Sequence, residues 1–302
     1  MITINKKKFA ANKAEFVMKV NIYQEITDKF VKCLSEDRIP WKRQYINNDA
    51  GFPVNKTTDK NYNGINQFLL WVEQQEKGYQ SALWLTYKQA KSLKGSVKRG
   101  EKGTKIIYYN FVTKENEKNP EKDDKIPFIK AYTVFNIEQT EGIDFDKVDL
   151  SQIDFNSIEA CENVLTLYKN KPEIKHNGQS AFYHPSFDYI NMPQKDSFIS
   201  SDAYYCTLFH EAIHSTGHAT RLDRLKENKE TLHSNSKSYS FEELVAEIGS
   251  CFLAIETQIE QNIDNRKAYI QSWARTLKNN PTWIIKAANK AQKAINYIKG
   301  VK

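Results

Sequence analysis

The spacing of apolar residues changes along the chain between a helical and a strand period, which predicts an α+β protein. Helical spacing predicts helices at about 13–35, 66–75, 86–93, 156–170, 200–217 and 240–255, and two more within 266–298 that are separated at Asn279-Asn280-Pro281. Alternating spacing predicts strands at 104–112 and 128–136, and two short strands within 181–193. Two segments follow neither period: 41–62, predicted to be an ordered loop, and 139–157, predicted to be a linker.

Length and composition predict two domains, which we place at 1–143 and 144–302. The chain has 302 residues, about twice a typical domain. No apolar run is long enough for a membrane span, and Met1 to Lys8 carries lysines without a following apolar segment, so we expect neither membrane attachment nor a signal peptide. The four cysteines, Cys33, Cys161, Cys206 and Cys251, are widely spaced, which indicates reduced thiols in a cytoplasmic protein.

The positive charge is confined to the first predicted domain. Residues 1–143 contain 25 Lys and Arg against 17 Asp and Glu, whereas the remainder contains 19 against 20. A basic module of this kind is typical of proteins that neutralise nucleic-acid phosphates. A lysine-rich solvated surface would give the same balance, so charge leaves both interpretations open.

The strongest chemical signal is the H-E-x-x-H motif formed by His210, Glu211 and His214. Residues four apart lie on the same face of a helix, so the two imidazoles can bind one metal ion, here predicted to be Zn²⁺. Glu211 is then the predicted catalytic base, which takes a proton from a zinc-bound water. The wider metzincin pattern is not met, because Thr220 stands where its third histidine belongs and no methionine follows the motif.

The third metal ligand is predicted to be Glu243, on the following helix. The apolar residues of that helix form one stripe, which leaves Glu243 and Glu247 together on another face. We expect Glu243 to bind the metal and Glu247 to orient a histidine. Two alternatives stay open: Ser240 and Glu243 also fit a capping box, and Cys206, one turn before His210, is another candidate ligand.

Aromatic and basic residues are interleaved in the first predicted domain, a pattern typical of proteins that bind single-stranded nucleic acid. The predicted nucleic-acid-binding residues are Trp41, Lys42, Arg43, Lys56, Lys98, Arg99, Lys102 and Lys105. The aromatic residues of the two long strands, Tyr108, Tyr109, Phe111, Tyr132 and Phe135, form either a stacking surface or an ordinary core. For the predicted nucleic-acid-binding residues, the structural alternatives are loop aromatics that pack into a small core and an ordinary turn that carries lysines.

Short blocks of sequence, in a specific order, resemble the ArdC-type antirestriction proteins of mobile elements. In the C-terminal half they are His210 to His218, Arg221-Leu222 and Phe241 to Glu247. In the N-terminal half they are Ile39-Pro40-Trp41, Pro53-Val54-Asn55, Tyr62 to Asn66, Trp84-Leu85-Thr86, Gly100 to Gly103 and Val134-Phe135-Asn136. The resemblance implies an N-terminal single-stranded-DNA-binding domain of mixed α and β structure, followed by a mostly helical zincin-like metallopeptidase domain with a small sheet.

The resemblance also implies a function: binding of single-stranded DNA in protecting incoming DNA from restriction during conjugation. The predicted zinc site does not by itself decide whether the protein is an enzyme. One alternative is a cytoplasmic zinc metallopeptidase that cleaves a specific protein, such as a restriction enzyme, and another is a purely structural metal site on a DNA-binding scaffold.

Overall fold

The computed structural model describes residues 22–36, 52–114, 124–145, 157–225, 237–260 and 267–301. The chain forms two compact units: the first comprises Met1–Ile26 and Phe52–Val148, and the second comprises Thr27–Gly51 and Asp149–Lys302. The chain passes from one unit to the other three times: within helix α1 (22–35), between residues 51 and 52, and between residues 148 and 149. Among the described residues, no helix combines the length and the apolar character needed to cross a membrane.

The first unit is built on a four-stranded sheet. Its elements in chain order are β1 (Val54–Asn55), α2 (Ile65–Lys77), β2 (Leu83–Thr86), α3 (Tyr87–Ser92), β3 (Ser96–Val97), β4 (Thr104–Lys114), β5 (Asp124–Asn136), a 3-10 turn (Ile137–Gln139) and β6 (Thr140–Glu141). The strand order is β1-β2-β5-β4, with β1 parallel to β2 and the other pairs antiparallel. A separate pair joins β3 to β6.

Helix α2 covers one face of this sheet. Its Leu70 packs with Trp84 of β2 and Val134 of β5, all three fully buried. The side chain of Asn66 pairs with the backbone of β4: it donates to the carbonyl of Ile107 at 2.6 Å and accepts from the Ile107 N–H at 2.8 Å. This pair takes up backbone groups on the outer side of β4 and holds the start of α2 against that strand.

The second unit combines helices with a small sheet. Its remaining elements are α4 (Ser157–Leu167), β7 (Glu173–His176), β8 (Phe182–His184), β9 (Tyr189–Met192), α5 (Ser201–Ser215), α6 (Lys237–Glu256), α7 (Lys267–Asn279) and α8 (Trp283–Lys299). Strand β9 lies in the middle of the sheet, parallel to β7 and antiparallel to β8. Helices α5 and α6 pack closely, because Gly249 lets Ile213 approach the α6 backbone.

The structure confirms the predicted α+β class and corrects several elements. The segment expected to be linker begins with ordered structure, since Gln139 ends a 3-10 turn and Thr140 pairs with Val97; residues 146–156 lie outside the described part. Strand β7 and the two-residue strands β1 and β3 were not predicted. Their pairing partners lie far away in sequence, and two or four residues carry little periodicity.

Candidate metal centre and nucleic-acid-binding residues

Helix α5 presents the two histidines of the motif on one face. Its first turn is capped by Ser200, whose hydroxyl accepts from the N–H of Ala203 at 3.1 Å. The helix is fully helical through Ser215, which places the Nε2 atoms of His210 and His214 only 3.1 Å apart. The helical face predicted from the i, i+4 spacing is thus present in the structure.

Glu243 of α6 completes a cluster of three metal-binding side chains. One carboxylate oxygen lies 3.4 Å from Nε2 of His210 and the other lies 3.4 Å from Nε2 of His214. Four ligands about 2.05 Å from a tetrahedral zinc ion are about 3.3 Å from one another. The separations are close to this ligand spacing, although the two Glu243 distances involve different oxygens, so the donor set and its spacing fit a divalent metal of the zinc type.

The capping-box alternative for Glu243 is wrong. Helix α6 begins at Lys237, so Ser240 lies inside the helix and cannot act as its N-cap. Cys206 also lies apart from the cluster, because its thiol is directed at the carbonyl oxygen of Glu260, 3.6 Å away. Burial raises the pKa of this thiol to about 12. The roles of His210, His214 and Glu243 as ligands stay a prediction, now with a geometry that fits it.

The carboxylate that contacts the far nitrogen of His214 belongs to Glu242, a residue that the sequence analysis did not select. Its Oε1 accepts from Nδ1 of His214 at 3.4 Å. Glu242 is also paired with Arg224, and both side chains are buried. By contrast, within the described residues no hydrogen bond joins the carboxylate of Glu247 to His210 or His214, and its orienting role stays a prediction.

Burial and charge act in opposite directions at this cluster. Burial disfavours the charged imidazole of His214, but hydrogen bonds and charges from Glu242 and Glu243 outweigh it and raise its pKa to about 10. Burial likewise favours the neutral form of Glu243, but hydrogen bonds with the two imidazoles hold its pKa well below the usual range. Two carboxylates, Glu242 and Glu243, thus contact His214, and a metal that binds this imidazole must displace its proton.

Glu211, the predicted catalytic base, is buried beside the cluster, with 8% of its surface exposed. No hydrogen-bond partner for its carboxylate occurs in the part of the chain that the structure describes. A carboxylate that directly follows a candidate metal ligand in sequence and has no internal hydrogen bond among the described residues is suited to accept a proton.

A group of polar side chains centred on Arg221 connects β8 and the segment after it to the C-terminal end of α5. Arg221 donates to both oxygens of Asp188, to the hydroxyl of Tyr183 and to the carbonyl of Ser215. Burial alone would raise the pKa of Asp188, but its bonds with Arg221 and Tyr183 lower it. This group holds the sheet against the helix that carries His210 and His214.

The predicted nucleic-acid-binding residues have different environments. Trp41, Lys42 and Arg43 lie outside the described residues, and Lys56 is half-buried. Two of the other lysines have intramolecular partners: Lys98 donates to the carbonyl of Glu138 at 2.9 Å, and Lys105 forms an ion pair with Glu25 at 2.8 Å. Arg99 and Lys102 are exposed. None of these roles is decided by the structure, and each stays a prediction.

An exposed group of side chains on the β4–β5 hairpin was only partly anticipated. Tyr108 and Lys130 face each other across the two strands, as do Ile106 and Tyr132, so all four share one face of the sheet. Tyr108 is 48% exposed and Tyr132 is 42% exposed, and Nζ of Lys130 lies 5.5 Å from the Tyr132 ring centre. The strand alternation indicates the shared face, but the strand pairing that adds Lys130 is not visible in the sequence.

Comparison with known proteins agrees with both halves of the chain. A family model described as the N-terminal domain of anti-restriction factor ArdC matches residues 20–135, and one described as a zincin-like metallopeptidase matches residues 161–290. The chain is similar to the antirestriction ArdC protein from the R388 plasmid in two crystal structures, one metal-free and one bound to Mn(II). The TM-score is 0.72 for both, with 37% and 38% identity, over 92% of this chain and 96% and 97% of that protein.

A curated relative is much longer. The DNA primase TraC of Escherichia coli is 33% identical over 295 residues, which cover 91% of this chain but only 20% of that protein. The chain thus spans about a fifth of the length of this relative.

Proposed function

Since the chain belongs to the ArdC family of antirestriction proteins, we propose that it binds single-stranded DNA through its first unit. In this proposal the DNA-bound protein acts against restriction of incoming DNA. The observation that carries the DNA proposal is the exposed face of the β4–β5 hairpin, where Tyr108, Lys130 and Tyr132 stand together. Aromatic rings stack on bases of any sequence, and the lysine adds a contact for a phosphate. The basic excess of residues 1–143 supplies the long-range attraction.

The test compares binding of a fluorescent single-stranded oligonucleotide by wild type, Tyr108→Ala, Tyr132→Ala and Lys130→Ala. A base stacked on an aromatic ring contributes about 1–3 kcal/mol, so each tyrosine variant should bind between about 5-fold and 150-fold more weakly. Loss of one phosphate contact by Lys130→Ala should reduce the slope of log affinity against log salt by about 0.7.

Tyr87→Ala is the matched control, because Tyr87 is 52% exposed in the same unit and also lies beside a lysine, with Nζ of Lys91 5.8 Å from its ring centre. Equal affinity of the wild type and both hairpin tyrosine variants would refute this surface as the binding site. An equal loss in the Tyr87 variant would point to a diffuse aromatic contribution instead.

For the second unit we propose a divalent metal site, with zinc as the metal, held by His210, His214 and Glu243. The ligand spacing given above supports this assignment. A metal bound there supplies Lewis acidity, which polarises a carbonyl and acidifies water. The protein's own part is to orient the two imidazoles and to accept the proton of the attacking water at the carboxylate of Glu211.

A peptidase acting on a specific protein is the second candidate function, and it is favoured by the position of Glu211 directly after His210, with no internal hydrogen bond to its carboxylate among the described residues. Glu211→Gln keeps the shape of the side chain but removes the base. The decisive assay measures transfer of unmodified DNA into a restricting host, with metal content and strand binding measured on the same variant. If Glu211→Gln retains metal, DNA binding and protection, peptidase activity is not needed for the function. If only protection is lost, hydrolysis is part of the function.

A further inference from the structure

We propose that Arg224 is a positioning residue for the metal site, because it fixes the carboxylate of Glu242, which in turn sets the orientation of the His214 imidazole. The inference rests on the proposed metal site. The sequence analysis did not select Arg224, which comes ten residues after His214 and lies outside the H-E-x-x-H motif.

The guanidinium of Arg224 lies between the two helices that carry the ligands. On the α6 side, Nε and Nη2 donate to the carboxylate of Glu242, with distances from 2.7 to 3.1 Å. On the α5 side, Nη1 donates to the hydroxyl of Thr216 at 2.7 Å and Nη2 donates to the carbonyl of Ile213 at 2.5 Å. The side chain is only 6% exposed. An arginine used in this way has one preferred orientation, since its donors form a rigid planar fork.

These contacts restrict how Glu242 can turn. Both of its oxygens accept from Arg224, and Oε1 also lies 3.4 Å from Nδ1 of His214. A carboxylate that accepts from one ring nitrogen fixes the tautomer and the ring angle, so that the other nitrogen is presented to a metal. If the Glu242 side chain could rotate, its carboxylate would hold the imidazole of His214 less firmly.

The backbone around Arg224 is itself held against the motif. The N–H of Leu222 donates to the carbonyl of Thr216, and the N–H of Leu225 donates to the carbonyl of Gly217, each at 3.0 Å. A Cβ on Gly217 would lie 2.8 Å from Cγ of Leu225 and 3.2 Å from Cγ of Arg224. The φ of Gly217 is not positive, so what requires glycine here is the close passage of this segment rather than a left-handed backbone.

The competing explanation is that the Arg224–Glu242 ion pair only holds α5 and α6 together. The positioning role and this structural role predict different results. A buried ion pair can often be replaced by apolar residues of similar size without loss of stability. The double variant Arg224→Met with Glu242→Leu should therefore regain stability if the pair is only a tie. It cannot regain metal affinity if the pair orients His214, because Nδ1 has lost its acceptor.

The experiment measures binding of Zn²⁺ and of Mn²⁺, each added alone to metal-free protein in competition with a chromophoric chelator. The variants are Arg224→Lys, Arg224→Met, Glu242→Gln and the double variant, with thermal unfolding of the metal-free proteins recorded in parallel. The matched control is Arg221→Lys, since Arg221 lies on the same segment and is 3% exposed, but its partners are Asp188, Tyr183 and backbone carbonyls rather than Glu242.

We expect the Arg224 and Glu242 variants to bind metal on the order of 10–100-fold more weakly, the range typical of residues that orient a metal ligand. The double variant should bind metal no more weakly than the weaker of the Arg224→Met and Glu242→Gln proteins, because both positions act on one contact. Arg221→Lys should bind like the wild type.

Wild-type metal affinity in a folded Arg224→Lys or double variant would overturn the inference. It would also be overturned if metal affinity followed thermal stability across all the variants, the Arg221 control included. If Arg224→Met does not fold, the Arg224→Lys and double variants still decide. A wild type that binds neither metal would instead refute the proposed metal site.

Discussion

Replacing Gly249 by alanine tests how closely α5 and α6 must approach for the metal site to form. Gly249 lies on α6, six residues after Glu243, and contacts Ile213, the residue before His214. A Cβ at position 249 would lie 2.7, 2.8 and 3.0 Å from the Cδ1, Cγ1 and Cγ2 atoms of Ile213. Ile213 is fully buried, and a β-branched side chain in a helix has essentially one rotamer, so it cannot turn away.

The size of the effect follows from these distances. The helices must separate by about 0.7 Å at this point to reach an ordinary contact of 3.4 Å. Overpacking of this kind costs about 1–3 kcal/mol. The better helix propensity of alanine offsets about 1 kcal/mol of this. We therefore expect the free energy of unfolding to fall by about 0–2 kcal/mol.

Metal binding should suffer more than stability. Binding sites require their ligands to be held within about 0.5 Å of the productive geometry. A shift of Glu243 relative to the two histidines that costs about 1.4 kcal/mol would weaken binding about tenfold. The assays are urea denaturation of the metal-free protein and chelator competition with Zn²⁺.

The neighbouring variant Ser250→Ala is the control for helix propensity, because among the described residues the hydroxyl of Ser250 bonds within its own helix, to the carbonyl of Glu247 at 3.0 Å. It should leave both quantities nearly unchanged. Adding Ile213→Val to Gly249→Ala removes the Cδ1 atom and should restore part of the affinity. A Gly249→Ala protein with wild-type stability and wild-type metal affinity would refute the view that this contact sets the ligand geometry.

Two further predictions concern pH and metal. Asp188→Asn should lower the free energy of unfolding by about 1–3 kcal/mol at pH 7, since the variant loses charged hydrogen bonds to Arg221 and Tyr183. Burial raises the pKa of Asp188, but these bonds outweigh it and hold the pKa in the folded protein below the unfolded value of about 3.9, so the stabilisation is complete well above that pH and declines below it. Denaturation at pH 7 and pH 3 tests this, and a pH-independent difference between wild type and variant would contradict it. Free Zn²⁺ at about 100 times its dissociation constant should raise the stability of the folded protein by about 2.7 kcal/mol, and a chelator should remove the gain. Glu243→Gln should show little of this gain; an equal gain in both proteins would mean that the metal binds elsewhere.

The sequence by itself determined the features that depend on local spacing. An α-helix places residues four apart on one face, so the proximity of His210 and His214 follows once that segment is helical. The same reasoning placed the other helices and the two long strands, whose observed bounds differ from the predicted ones mainly at their ends. The basic character of the first 143 residues is also a property of the sequence alone.

Only the tertiary structure decided which side chains from different elements meet. The helical period of α6 brings Glu243 and Glu247 to a common face but does not reveal that Glu242 turns toward α5. That choice depends on Arg224, which reaches Glu242 through a fold-back of the chain after Gly217. Likewise, the face that unites Tyr108 with Lys130 depends on the register of β4 against β5. Such contacts join residues 18 to 28 positions apart in the sequence, or across a hairpin, and no local periodicity encodes them, because their geometry is set by packing between elements.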